Sequence, residues 1–274
     1  MLADALDIEA ALRRRIGGLP SALVALSGGV DSSVVAALAA AELGSRAVAA
    51  TGVSPSLARG ELDDIVRFCA ARELVHVAVE THELTRPGYV ENSPERCYHC
   101  KTELFSALTR VRAERGLACI LDGTSAEDLE GHRPGRRAGL DSGVISPLAE
   151  VGARKEDVRA IARRLGLDNA ERPSSPCLSS RIAYGVAVTP ERLARVERAE
   201  AFLRGLGLRE VRVRLHDAIA RVEVPKADLA RAALHAAEIT AELRRLGFVY
   251  VTLDLAGLRS GSLLEILRTP EAHG

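Results

Sequence analysis

Short apolar runs alternate with helical periods through the first half of the chain. Residues 4–17 place apolar side chains at the three- and four-residue spacing of an amphipathic helix. Leu23–Leu26 is a bare apolar run, short enough for a buried strand. Ser27, Gly28 and Gly29 stop it, and Asp31, Ser32 and Ser33 open an Ala/Val-rich helix. The rhythm then repeats. Ala47–Val53 predicts a second strand, 59–72 a helix, Val75–Glu80 a third strand, and about 94–115 a helix. Leu117–Leu121 predicts a fourth strand, stopped by Asp122-Gly123-Thr124. Strands alternating with helices predict an α/β fold with a doubly wound, mostly parallel sheet. Residues 125–150, glycine-rich and charged, read as a mobile loop before a helix at 154–166.

The pattern changes after residue 171. ERPSSPCLSSRIAYG, residues 171–185, reads as a linker. Beyond it the spacing predicts a helix at 190–205, strands at 210–216 and 218–224, a helix at 226–246 and a strand at 248–255. That is a smaller α+β unit with a hairpin. The expected division is 1–175 and 176–274.

Parallel sheets bind ligands beyond the carboxyl ends of their strands. The Ser27-Gly28-Gly29 turn, Val53 and Asp122-Gly123 all fall at such ends. Glycines let a backbone approach a ligand, and the first N–H groups of a helix have no partner within it. The helix dipole adds a preference for negative charge. Ser27, Ser32 and Ser33 supply hydroxyl donors, and Asp31 suits Mg²⁺ beside phosphate. This is no Walker loop, because no Lys follows the glycines. SGGVDSS instead resembles the PP-loop of ATP pyrophosphatases. That resemblance implies cleavage of ATP between the α- and β-phosphates, with adenine expected near Val53 and Gly123. The bland alternative is a capped helix after a glycine turn.

Composition narrows the setting. Hydrophobic residues make up 47% but aromatics only 3%, so the core must be built from Ala, Leu and Val. Acids and bases balance at 37 each, which argues against a nucleic-acid partner or a membrane surface. Lys occurs only at 101, 155 and 226. MLADALDIEA lacks an apolar signal core, so a cytoplasmic protein with reduced cysteines is expected. Cys69 and Cys119 sit in apolar runs and read as core thiols. Cys97 and Cys100, in ERCYHCK, have C-x-x-C spacing in a polar stretch, and Cys177 follows Pro176 in another. Three thiolates suit a [4Fe–4S] cluster with one open iron. Zinc completed by His99, or a redox dithiol, fits the spacing equally.

Six segments in order, SGGVDSS, LDGT, HRPGRRA, PCLSSRIAYG, VRVRLHD and YVTLDLAGLRSG, resemble the LarE family of ATP-dependent sulfur transferases. The resemblance covers almost the whole chain. It implies AMP- and pyrophosphate-forming activation of pyridinium-3,5-biscarboxylic acid mononucleotide, whose carboxylates become thiocarboxylates for the nickel-pincer nucleotide. It implies Cys177, Lys101, Ser180 and Arg181 as catalytic residues, Arg133 with the ATP site, and Glu200, Arg212 and Arg214 at the substrate. Single-cysteine members sacrifice their own cysteine sulfur. Cys97, Cys100 and Cys177 resemble the three-cysteine subgroup, which implies a cluster and a sulfide donor. A homo-oligomer is expected.

The residues allow this chemistry on their own terms. A carboxylate is a poor acyl donor until its oxygen can leave as AMP, after which a thiolate or sulfide can attack. Arg212 and Arg214 alternate on one strand face and could hold a phosphate in forked fashion. A solvated face is the bland reading of the same pair. The rival functions are a cluster-dependent tRNA thiolase, a nucleotide-binding zinc sensor and an ammonia-using ligase.

Overall fold

A computed structural model describes residues 2–130, 134–172, 176–259 and 261–267. The chain forms two compact units, residues 1–89 with 94–176, and residues 90–93 with 177–274.

The first unit contains α1 (Leu2–Gly17), β1 (Ala22–Ala25), α2 (Val30–Leu43), β2 (Ala47–Val53), α3 (Glu61–Ala70) and β3 (Val75–Glu80). It continues through α4 (Pro87–Val90), α5 (Arg96–Glu114), β4 (Cys119–Leu121), α6 (Pro134–Asp141), α7 (Pro147–Glu150) and α8 (Lys155–Arg164). Its sheet has the order β3-β2-β1-β4, and every pairing is parallel. Alternation along β1 explains why both faces are covered. Ala22 and Val24 join a core with Leu12, Leu38, Val158 and Ile161, while Leu23 and Ala25 join a second core with Phe105, Leu108 and Ile120. β1 lies between strands that follow it on opposite sides, so the chain reverses direction across the sheet at β1 and β4. Ligand crevices form at such points.

The described residues of 125–150 are not the loop expected from their glycines and charges, and residues 131–133 lie outside them. Ser125 caps a short 3-10 turn, Ala126–Leu129, with Asp128 returning the bond. α6 and α7 follow, burying Ala138, Gly139 and Leu148. Gly135 and Gly139 lie at contacts, whereas Gly143 has a left-handed φ of 66° with open space beside it. A β-carbon on Gly135 would lie 3.1 Å from Lys101 Cγ, so this glycine lets α6 approach α5.

The second unit contains α9 (Pro190–Gly205), β5 (Arg212–His216), β6 (Ile219–Glu223), α10 (Leu229–Leu234), α11 (Ala236–Arg245) and β7 (Tyr250–Leu253). Thr189 caps α9 by accepting from the Arg192 N–H at 3.3 Å, with Pro190 at the first helical position. β5 and β6 form an antiparallel hairpin, and β7 adds to β6 in parallel. The single helix expected at 226–246 is broken at His235 into α10 and α11.

Residues 90–93 belong to this unit because of Asn92. Its side chain is fully buried with φ of 55°. The amide donates to the carbonyl oxygens of Ile182 (3.2 Å), Ala183 (2.7 Å) and Val186 (2.9 Å). One side chain thus binds the segment read as a linker. Among the described residues, no helix is long and apolar enough to cross a membrane.

Candidate active site

Two glycines with different tasks build the turn between β1 and α2. Gly28 has φ of 77°, a left-handed conformation that favours glycine, and a β-carbon there would lie 3.2 Å from Ile65 Cγ1. Gly29 is extended and caps α2, its carbonyl accepting from Ser33 N–H and from the Ser32 hydroxyl, both at 3.0 Å. Ser32 Oγ also accepts from Ser27 N–H at 3.2 Å and lies 3.1 Å from Ser27 Oγ. Asn169 ties the turn from the far side, donating to Gly28 O at 3.0 Å and to Ser33 Oγ at 2.9 Å. The serines therefore hold the loop's shape. The first backbone N–H groups of α2, at the positive end of the helix, are suited to an anion.

Asp31 stands in the first turn of α2. Its Oδ2 accepts from Lys155 Nζ at 2.8 Å, while Oδ1 is buried and has no hydrogen-bond partner. Lys155 also donates to Asp128 Oδ2 at 2.9 Å, and Asp128 accepts from the Ser125 backbone (3.1 Å) and hydroxyl (2.8 Å). Burial alone would lower the Lys155 pKa, but the two carboxylates outweigh it and hold the ammonium above its ordinary value. Burial pushes the Asp128 carboxyl up, and the bonds from Lys155 and Ser125 more than offset this, leaving it below the usual range. An orphaned carboxylate oxygen beside the glycine turn fits the oxygen-ligand chemistry of Mg²⁺, which Asp31 would hold. Sequence reasoning missed Lys155, Asp128 and Asn169. The signal available for Lys155 was scarcity, since it is one of three Lys in an Arg-rich chain.

Gly123, expected near adenine, also has a structural task. A β-carbon there would sit 2.5 Å from Ser32 N and 2.8 Å from Ser32 Cα, so β4's end abuts the start of α2. Asp122 is consumed by its turn, accepting from Thr124 N–H (3.1 Å), the Thr124 hydroxyl (2.7 Å) and the Ser146 hydroxyl (2.7 Å). Gly123→Ala should displace the glycine turn and weaken ATP binding about tenfold or more, the scale of one misplaced charged hydrogen bond. Calorimetric titration with ATP checks this, and unchanged affinity would show that the turn tolerates displacement. Val53 ends β2, and its carbonyl accepts from Thr81 N–H at 3.1 Å. Arg133 lies outside the described residues.

α5 begins at Arg96, which puts Cys97 in its first turn and Cys100 about one turn further on, three residues apart on one face. Cys97 is exposed and Cys100 partly so. Lys101 Nζ stands 5.6 Å from the Phe105 ring centroid. The His99 ring packs directly over Gly88, leaving no room there for a β-carbon. Cys69 is the core thiol expected, its pKa pushed by burial up to about 11, whereas Cys119 is half-buried against the same core, with burial raising its pKa as well. Among the described residues, no three His, Cys, Asp or Glu side chains are grouped to hold a metal.

In the second unit, Cys177 is exposed and precedes a 3-10 turn, Leu178–Arg181. Its carbonyl accepts from Ser180 N–H at 2.9 Å and from Arg181 Nη1 at 3.2 Å. Arg181 and Glu200 form a buried pair, 2.9 Å from Nε to Oε1, and Glu200 also accepts from Arg204 Nη2 (2.7 Å) and Val213 N–H (3.1 Å). Arg214 donates from Nε to Glu223 at 2.9 Å and from Nη1 to Ser180 O at 2.9 Å. Glu223, fully buried, further accepts from Arg221 Nη2 (3.0 Å) and the Ser262 hydroxyl (2.6 Å). Arg214 is 3% exposed, so the alternative of a solvated face does not hold. Burial, and then the charge of Arg181, lower the Arg212 pKa. Cys177 and Ser180 are thus carried on a turn braced by two buried ion pairs.

Comparison with known proteins places the chain among relatives. Residues 4–126 match the asparagine synthase family model. The chain is 43% identical over 258 residues to an uncharacterized protein of Synechocystis sp., spanning 93% of this chain and 96% of that one. It is 30% identical over 191 residues to a glutamine-hydrolyzing GMP synthase chain of Archaeoglobus fulgidus, a match that covers 65% of this chain and 62% of that one. To the pyridinium-3,5-bisthiocarboxylic acid mononucleotide synthase of Lactiplantibacillus plantarum it is 36% identical over 260 residues, 94% of each chain. A match of that depth along nearly the full length places the chain in the LarE family of ATP-utilising enzymes, within the PP-loop superfamily.

Proposed function

We propose that the protein is an ATP-dependent sulfur transferase acting on pyridinium-3,5-biscarboxylic acid mononucleotide. The observation that carries this reading is Asp31 beside the glycine turn, with one oxygen on Lys155 and the other buried and without a partner. The first N–H groups of α2 would bind the β- and γ-phosphates. Asp31 Oδ1 would hold Mg²⁺, which supplies charge neutralisation on the phosphate oxygens. A substrate carboxylate oxygen attacks the α-phosphorus, the α–β bond breaks, and pyrophosphate stays in the cradle. The acyl carbon then carries AMP, a leaving group weak enough as a base to be displaced by sulfur. Val53 and Gly123, with Arg133, are assigned to the nucleotide, and Arg212, Arg214 and Glu200 to the substrate side. On this division, residues 1–175 activate the carboxylate and residues 176–274 bind substrate and transfer sulfur.

Cys177 handles the sulfur, at an exposed position on a braced turn. Cys97 and Cys100, one helical turn apart and accessible, are the right donors to join it in a [4Fe–4S] cluster. Held by Cys97, Cys100 and Cys177, a cluster would supply the means to deliver sulfide from an external donor. Cys177 on its own also suits the sacrificial route. Anaerobic reconstitution with iron and sulfide separates the two. The cluster reading expects broad absorption near about 400 nm, lost in Cys97→Ala, Cys100→Ala and Cys177→Ala alike, and several turnovers with added sulfide. A colourless protein whose Cys177 loses about 34 Da, one H₂S, in a single turnover would establish the sacrificial route.

A further inference from the structure

The register of the hairpin puts Arg212, Arg214 and His216 on one face of β5, opposite Glu223, Arg221 and Ile219 of β6. At the His216 end of that face lies a cleft of about 250 Å³, lined by Tyr184, His216, Arg221, Ser262 and Glu265 among others. It is far larger than a water site and approaches the size of a small-ligand pocket.

The polar groups around this cleft are unevenly satisfied. The carboxylates are taken. Glu223 accepts from Arg214, Arg221 and Ser262, and Glu265 accepts twice from Arg259, at 2.6 and 2.7 Å. Arg221 uses its outer nitrogens, with Nη2 3.0 Å from Glu223 and Nη1 3.5 Å from Asp254 Oδ2. Two buried nitrogens remain without partners, Arg221 Nε and His216 Nε2, and both residues line the cleft. Burial, and then the charge of Arg221, lower the His216 pKa, which favours the neutral ring, and a neutral imidazole can carry its single proton on Nε2. Each of these two nitrogens calls for an acceptor oxygen.

We propose that this cleft receives an oxyanion group of the substrate, a phosphate or a carboxylate, held by Arg221 Nε–H and His216 Nε2–H. Arg214, bonded to Glu223 and the Ser180 carbonyl, holds the same face in place. The inference rests on the reading of the substrate as an anionic pyridinium mononucleotide and names the residues of this chain that meet one of its charged groups.

Nitrogen-15 NMR of the full-length chain labelled at histidine provides the test, with the His216 signal assigned from His216→Gln. Inorganic phosphate and pyridine-3,5-dicarboxylate are titrated separately. A saturable movement of the His216 Nε2 signal is expected with one of them, and which one identifies the group. His216→Gln should also weaken binding of the complete mononucleotide about tenfold or more, the scale of one hydrogen bond to a charged group. No movement with either probe, or wild-type affinity in His216→Gln, would overturn the assignment. Pyrophosphate release is followed in parallel. If the mononucleotide drives release while His216 stays still, the cleft assignment falls and the sulfur-transfer reading stands. If His216 responds but no release occurs, the cleft stands as an oxyanion site and the substrate reading falls.

Discussion

Glu200→Ala should cost the carboxyl-terminal unit about 3–5 kcal/mol, the range for breaking a buried ion pair from one side. Glu200 is 1% exposed and Arg181 5%. The carboxylate accepts from Arg181 through both Nε (2.9 Å) and Nη2 (3.3 Å), from Arg204 at 2.7 Å and from the Val213 backbone at 3.1 Å. Its removal leaves a guanidinium desolvated beside Arg212 with less negative charge to balance it. Glu200→Gln keeps the volume and one acceptor, and should lose less. Urea unfolding reads both variants through the midpoint and slope. If Glu200 acted only by touching substrate, both midpoints would match wild type.

Asp31→Ala should lower pyrophosphate release by about 100-fold or more, the order seen when one preorganised group facing developing charge is removed. Stability should change far less, because Lys155 keeps its bond to Asp128 at 2.9 Å. The contrast between the two variants is informative. Glu200 is held on every side by protein, whereas Asp31 keeps one oxygen that no protein group satisfies.

The local features of the site are readable from the chain. Strand, glycine turn, Asp and paired Ser fall within a few residues of each other, so their geometry follows from turn and helix-start chemistry alone. The alternation of Arg212 and Arg214 is readable for the same reason, since strand period is local. Their environment is not. Whether that face meets water depends on Ser180, Glu223 and Ser262, which arrive from elsewhere in the chain. Lys155 escapes notice on the same ground: it reaches Asp31 across 124 residues. Glycine content suggests mobility for residues 125–150, whereas Gly135 is a contact point between α6 and α5. The segment from 171 to 185 reads as a linker, but three of its members accept or share bonds within the second unit, with Arg181 buried and the Ile182 and Ala183 carbonyls held by Asn92.

Product analysis of ATP turnover tests the central claim most directly. Purified protein with Mg²⁺-ATP and pyridinium-3,5-biscarboxylic acid mononucleotide should release AMP and pyrophosphate in equal amounts, with little of either when the mononucleotide is left out. ADP and orthophosphate as products, or pyrophosphate release that ignores the mononucleotide, would contradict it.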